Sequence, residues 1–131
     1  MTPPGRSPTE GAPTRSALLL CADALPAALL GGLLETIGWQ PVFAASDEPP
    51  RDALRRLRPT LVLADPGYDA AWTGAFLGPA RMLSIPVVVL GAAQSPEAAR
   101  QLAHEHRLSS LLLPTDAATL ERCLDEALAA R

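Results

Sequence analysis

The sequence of 131 residues contains no lysine and no asparagine. The absence of lysine excludes any site whose chemistry needs a side-chain ammonium group. Aromatic residues make up only 4% of the chain, so a core must be built mainly from leucine, alanine and valine. The formal net charge is −3, and the eleven arginines are scattered among fourteen acidic residues. We therefore expect no nucleic-acid partner, because phosphate binding needs a basic face.

Metal-binding residues are equally scarce. The two cysteines, Cys21 and Cys123, are far apart and form no CxxC motif, so we predict reduced, buried thiols and no disulfide or zinc site. His104 and His106 lie two apart at the end of a predicted helix, where they cannot share one face. We expect them to complement the negative end of the helix dipole and not to bind a metal.

The longest apolar run, residues 18–34, follows Arg15 and resembles the hydrophobic core of a signal peptide. Asp23 and Pro26 interrupt it, and Glu35 follows without a small-residue cleavage pattern. A membrane span needs about 20 unbroken apolar residues. We therefore predict a cytoplasmic, soluble protein that does not interact with a membrane.

The chain divides into a tail and one domain. Residues 1–15 contain four prolines and almost no aliphatic side chains, so they cannot bury enough surface to offset the entropy of ordering them. We predict a disordered, proline-rich tail over residues 1–15 and a single domain over residues 16–131.

Within the domain, apolar runs alternate with helix-like stretches. Candidate strands are residues 17–21, 40–44, 60–64, 86–90 and 109–113, and candidate helices are residues 24–37, 49–57, 70–82, 96–106 and 116–129. All strands but the second are apolar on successive residues, which indicates burial on both faces of a parallel sheet. Ser95 is a candidate cap for the fourth helix, and Thr115 or Asp116 for the fifth. The pattern predicts a doubly wound α/β fold.

Asp65 directly follows the apolar third strand, at the sheet edge where open α/β folds place their sites. No glycine-rich phosphate loop follows the first strand, which weakens the prediction of a dinucleotide site. The Gly31-Gly32 pair lies in the middle of the first helix, where glycine costs about 1 kcal/mol relative to alanine. Close packing against a neighbouring helix or a partner would explain the pair.

Four phrases resemble the receiver domain of two-component response regulators: LLETIGW at residues 33–39, RPTLVLAD at 58–65, IPVVVL at 85–90 and LLLP at 111–114. The resemblance covers residue 16 to about residue 129. It implies a flavodoxin-like sheet in the order 2-1-3-4-5, with Asp65 at the phosphoacceptor position on the central strand.

The resemblance also implies where the magnesium-binding acidic pair of receivers should lie. These two positions fall on Cys21 and Ala22, neither of which is acidic. Asp23 lies one place further on, and a one-residue shift in this loop would bring it into the metal site. One carboxylate would still be absent.

The other chemical positions of the family are also substituted. The switch hydroxyl falls on Gly91, the switch aromatic residue on Ser110 and the lysine on Leu113. The proline after the lysine is retained as Pro114, and the peptide bond before it is often cis in the family.

We therefore predict a pseudo-receiver: a non-enzymatic protein-interaction module without a cofactor, which binds a protein partner or itself through a helix face. The alternative is an atypical single-domain response regulator that is phosphorylated on Asp65 with the help of magnesium. A more distant alternative is a flavodoxin-like domain that binds a small ligand at the strand ends. The residues predicted to border the partner surface are Arg100, Arg107, Leu108, Glu121 and Arg122.

Overall fold

Five parallel strands form a single sheet in the order β2-β1-β3-β4-β5 in the computed structural model, which describes residues 15–130. The strands are β1 (Ser16–Leu20), β2 (Gln40–Val42), β3 (Leu61–Ala64), β4 (Val87–Ala92) and β5 (Ser109–Leu113). The helices are α1 (Ala24–Thr36), α2 (Pro50–Leu57), α3 (Gly74–Met82), α4 (Glu97–His106) and α5 (Ala117–Ala130). The predicted fold and strand order are confirmed. The predicted tail lies outside the described residues except for Arg15.

Helices cover both faces of the sheet because successive strand residues point to opposite sides. In β1, Leu19 packs into a core cluster with α1 and α5, whereas Leu18 packs into a second cluster with α2 and α3. Every residue of β3 is buried, as expected for the central strand. No helix among residues 15–130 is long and apolar enough to cross a membrane.

Strand β5 differs from its prediction. It pairs only with β4 and forms an edge of the sheet, as the predicted order requires, but its apolar sequence had indicated burial on both faces. Ser109 and Ser110 are exposed, and only Leu111 is fully buried. An edge strand has a neighbour on one side alone, so part of its surface remains in contact with solvent.

Several element ends also differ from the predictions. The helix predicted over residues 70–82 is divided by Thr73, whose backbone is extended, into a short 3-10 helix (Asp69–Trp72) and α3. Ser95 makes no capping bond to α4, which starts at Glu97 after Pro96. Asp116 does cap α5, because its Oδ1 accepts the Thr119 N–H at 2.8 Å.

Candidate functional site

Asp65 lies at the carboxyl end of β3, and the backbone around it is firmly held. Its N–H donates to the carbonyl oxygen of Leu20 at 3.0 Å, which ties it to the end of β1. Its own carbonyl oxygen accepts the backbone N–H of Tyr68 at 3.1 Å and the indole Nε1–H of Trp72 at 2.9 Å. These bonds fix the position from which the carboxylate projects.

The carboxylate of Asp65 is only partly satisfied. Oδ2 accepts the backbone N–H of Ala22 at 2.8 Å. Oδ1 is buried and has no hydrogen-bond partner among the described residues. Gly67 covers it so closely that a Cβ on this glycine would lie 3.2 Å from Oδ1. The side chain of Asp65 thus caps the β1–α1 loop at Ala22.

A cleft of about 300 Å³ opens beside Asp65. It is lined by Cys21, Pro26, Asp65, Pro66, Leu90, Gly91, Ala92, Ser95, Ala98, Ala99 and Leu113. None of these residues is a cation. The described residues thus form an apolar wall that carries a single carboxylate, a serine hydroxyl and a thiol.

The thiol in this wall belongs to Cys21, which is half-buried and free. Burial in the apolar wall, together with the smaller effects of the nearby carboxylates of Asp65 and Asp23, raises the pKa of Cys21 to about 11. At neutral pH the group is therefore mostly a neutral thiol, which is a much weaker nucleophile than a thiolate.

Comparison with solved structures finds the same architecture in receiver proteins. The signal receiver domain of a modulated diguanylate cyclase from Desulfovibrio desulfuricans is 26% identical, with a TM-score of 0.67 over 90% of this chain and 96% of that chain. The chemotaxis protein CheY4 of Vibrio cholerae is 18% identical, with a TM-score of 0.64 over 88% and 99%. This chain has the receiver-domain fold. No protein-family model and no curated protein matches its sequence.

A third solved structure also has the receiver fold. The receiver domain of a sensor histidine kinase from Pseudomonas aeruginosa is 19% identical, with a TM-score of 0.68 over 89% of this chain and 99% of that chain. Its structure holds a magnesium ion in the active-site cleft.

The residues at which the sequence resemblance places the magnesium site do not fit magnesium, which needs several oxygen ligands. Cys21 and Ala22 offer a neutral thiol and a methyl group. Asp23 is exposed at the start of α1 and is not part of the cleft wall. Among residues 15–130, no three His, Cys, Asp or Glu side chains are close enough to hold a metal ion together.

Neighbouring atoms leave no space for a side chain at Gly91, where the resemblance places the switch hydroxyl. A Cβ on Gly91 would lie 2.6 Å from the Cβ of Ala99 on α4 and 2.8 Å from Cδ2 of Leu112. Carbon atoms in contact are normally about 3.5–4.0 Å apart. Helix α4 therefore occupies the space that a side chain at position 91 would need.

The remaining substituted positions lie on and beside β5. Leu113 lines the cleft, where the resemblance places a lysine. The Leu113-Pro114 peptide bond is cis, as the resemblance implied. Ser110 is exposed at the sheet edge and does not line the cleft.

The residues predicted to border a partner surface are distributed over α4, α5 and the α4–β5 turn. Arg100, Arg107, Glu121 and Arg122 are exposed. Leu108 is partly buried and packs against the core cluster beneath α2 and α3, so it supplies little free apolar surface. Arg107 and Leu108 line a separate cavity of about 260 Å³ at the opposite edge of the sheet from Asp65.

Sequence reasoning missed an apolar groove along α1. Leu25 is 69% exposed and Leu29 is 63% exposed, although both are large aliphatic residues. With Leu33 they line a cavity of about 690 Å³ that extends to Pro114 at the end of β5. The signal was present in the sequence, because α1 carries leucines at helical spacing on two faces and only one face can reach the core.

The glycine pair of α1 has a different neighbour from the one expected. A Cβ on Gly31 would lie 3.7 Å from a side-chain carbon of Pro41 in β2, which is an ordinary contact distance. A Cβ on Gly32 would have no neighbour within 4 Å among the described residues. Neither glycine is therefore required by packing against another helix.

Proposed function

We propose that this chain is a pseudo-receiver, a non-enzymatic interaction module of two-component-type signalling that works without phosphorylation of Asp65 and without a cofactor. The observation that carries the proposal is the cleft itself. Asp65 lies where a receiver accepts a phosphoryl group, but no cation lines the cleft and α4 fills the space beside Gly91.

The cleft lacks the charges that phosphoryl transfer needs. Phosphoryl transfer to a carboxylate depends on groups that neutralise the incoming oxygens. Loss of one such group from a preorganised site costs about 3–4 kcal/mol of transition-state stabilisation. Leu113 supplies no ammonium, and Cys21 and Ala22 supply no metal-binding carboxylates. None of the ion pairs among residues 15–130 includes Asp65. The combined loss makes Asp65 a poor phosphoacceptor.

One observation favours the alternative, an atypical response regulator phosphorylated on Asp65. Oδ1 of Asp65 is buried without a hydrogen-bond partner in the described residues, which costs about 1–3 kcal/mol for a polar group. Such an oxygen would gain from a magnesium ion or from a bonded phosphoryl group. Asp23 is the single additional carboxylate in the β1–α1 loop that could contribute to such a site.

The two functions are separated by incubation of the full chain with acetyl phosphate and magnesium. We expect no gain in mass and no change in the amide chemical shifts of residues around Asp65, because the charge-neutralising groups are missing. The Asp65→Asn variant, which keeps the size of the side chain, is the control. A stoichiometric adduct that forms on the parent chain and not on Asp65→Asn would establish the alternative.

The partner surface predicted from the sequence remains a prediction. Arg100 and Arg122 are exposed on α4 and α5, where charge reversal would not disturb the core. If a partner binds there, Arg100→Glu and Arg122→Glu should each weaken its affinity. Binding should need neither metal nor phosphodonor.

A further inference from the structure

The cleft beside Asp65 has the size of a site for a small molecule. Its volume of about 300 Å³ lies at the lower end of the range of about 300–1,000 Å³ that is usual for ligand pockets. Most of its wall is apolar, with Pro26, Leu90, Ala98 and Leu113 among the lining residues. The apolar part of a small molecule would therefore leave water on entering the cleft, which favours binding.

Asp65 contributes the only charged group of this wall. Oδ1 is buried beneath Gly67, so Oδ2 is the oxygen that a ligand in the cleft can reach. Oδ2 accepts one hydrogen bond, from the Ala22 N–H at 2.8 Å, and a carboxylate oxygen has room for about two. None of the ion pairs in the described part of the chain includes Asp65. The carboxylate thus has no counter-charge from the chain, in apolar surroundings that strengthen electrostatic attraction.

These properties distinguish between classes of ligand. An anion would be repelled by Asp65 and would meet no cationic side chain in the wall. Magnesium prefers several oxygen ligands, whereas the wall offers one carboxylate, the hydroxyl of Ser95 and the mostly neutral thiol of Cys21. A neutral apolar molecule would remove water from the carboxylate without replacing its hydrogen bonds, which is unfavourable. An organic ammonium ion supplies both a hydrogen-bond donor with a positive charge and an apolar body.

We propose that the cleft binds a small organic amine, whose ammonium group donates a hydrogen bond to Oδ2 of Asp65 and whose apolar body packs against Leu90, Ala98 and Leu113. This ligand site goes beyond the proposed function and does not depend on it. A bound amine would give the interaction module an input that needs neither a phosphodonor nor a metal ion.

The test uses the full chain and three probes that share one apolar body: the cation 2-phenylethylamine, the neutral 2-phenylethanol and the anion 3-phenylpropionate. Titrations followed by amide chemical shifts give the three dissociation constants. The amine should bind about tenfold more tightly than the alcohol, because hydrogen bonds to charged groups are stronger than neutral ones. The anion should bind most weakly. The amide signals of Ala22, Ser95 and Ala98 should shift when the amine is added.

Three variants locate the site. Asp65→Asn keeps the size of the side chain but removes its charge, so it should lose about tenfold in affinity for the amine and bind the alcohol as the parent chain does. Ala98→Leu places a larger side chain in the cleft from an exposed position on α4 and should weaken both ligands. Asp69→Asn is the matched control, because Asp69 is exposed and lies outside the cleft wall, and its affinity for the amine should equal that of the parent chain.

The decisive quantity is the ratio of the amine and alcohol affinities, which a general disturbance of the cleft would leave unchanged. Equal affinities for the two ligands in the parent chain, or the same ratio in Asp65→Asn as in the parent, would overturn the contact with the carboxylate. Amine binding that is unaffected by Ala98→Leu would overturn the cleft as the site, and displacement of the amine by magnesium chloride would indicate a metal site instead. An Asp65 adduct with acetyl phosphate would overturn the proposed function without changing these affinities.

Discussion

Replacing Gly91 with alanine is expected to destabilise the domain, although alanine is among the smallest residues. The new Cβ would lie 2.6 Å from the Cβ of Ala99 and 2.8 Å from Cδ2 of Leu112. Leu112 can change its rotamer, but the methyl group of Ala99 is fixed to α4, so the helix itself must shift. Insertion of one methyl group into a well-packed region typically costs about 1–3 kcal/mol.

The cost is measurable by urea denaturation of the two proteins. A loss of about 1–3 kcal/mol in the free energy of unfolding would appear as a lower denaturation midpoint with an unchanged slope. The Gly32→Ala variant is the control for a glycine-to-alanine change without a clash. It should stabilise α1 by about 0.5–1 kcal/mol, because alanine is the better helix former and has open space at this position.

A second variant tests whether Ala99 is the cause. In the Ala99→Gly background the methyl group that opposes residue 91 is absent, so Gly91→Ala should cost less there than in the parent chain. The difference between the two costs is the coupling energy of the pair, which we expect to be about 1 kcal/mol or more.

Helix α4 would not block position 91 if Gly91→Ala were as stable as the parent chain and left the amide chemical shifts of α4 unchanged. If the clash is real, Gly91→Thr alone cannot place a switch hydroxyl in the cleft. Position 91 then lacks a hydroxyl because it is a glycine, and α4 also leaves no space for one.

Two further predictions follow from ionisable groups. Glu48 forms a paired contact with Arg56 (Oε2 to Nε 2.8 Å, Oε1 to Nη2 2.7 Å), and this hydrogen bonding, with the Ala45 N–H, lowers the pKa of Glu48 from 4.5 to about 2. The pair therefore stabilises the fold above about pH 4.5 and loses this effect as the pH falls towards 2. Over that interval the urea denaturation midpoint of the parent chain should fall more than that of Glu48→Gln. Equal pH profiles of the two proteins would contradict the pairing. Because the pKa of Cys21 is raised, iodoacetamide should alkylate it about a hundredfold more slowly at pH 8 than it alkylates a thiol of ordinary pKa. The rate is measured in a Cys123→Ser background. Asp65→Asn should accelerate this reaction, since it removes a negative charge beside the thiol, and an unchanged rate would show that burial alone suppresses the thiol.

Much of the fold could be predicted from the sequence because local patterns and burial agree in its centre. Strand β3 is apolar on successive residues, and the structure places it between β1 and β4, where both faces are covered. The same apolar pattern overestimated the burial of β5, which the predicted order already placed at an edge of the sheet, where part of a strand remains in contact with solvent. The break at Thr73 could not be predicted either, because the only residue of the stretch 70–82 that normally interrupts a helix is Pro79.

The candidate site was harder to read, because its properties depend on atoms from distant parts of the chain. The sequence could show that Gly91 lacks a hydroxyl, but it could not show that the Cβ of Ala99 occupies the space beside it. It could place Asp65 after a strand, but the unsatisfied Oδ1 results from the cover formed by Gly67. The exposure of Leu29 depends on which face of α1 meets the sheet.

The carboxylate of Asp65 meets two separate obstacles to phosphorylation. A phosphoryl group adds negative charge and therefore needs cations, and none of the residues that line the cleft is a cation. Oδ1 is also buried beneath Gly67 without a hydrogen-bond partner among the described residues, which costs stability in the free chain. Gly67 must move before any hydrogen-bond donor or cation can reach this oxygen. We therefore expect Asp65 to accept a phosphoryl group poorly.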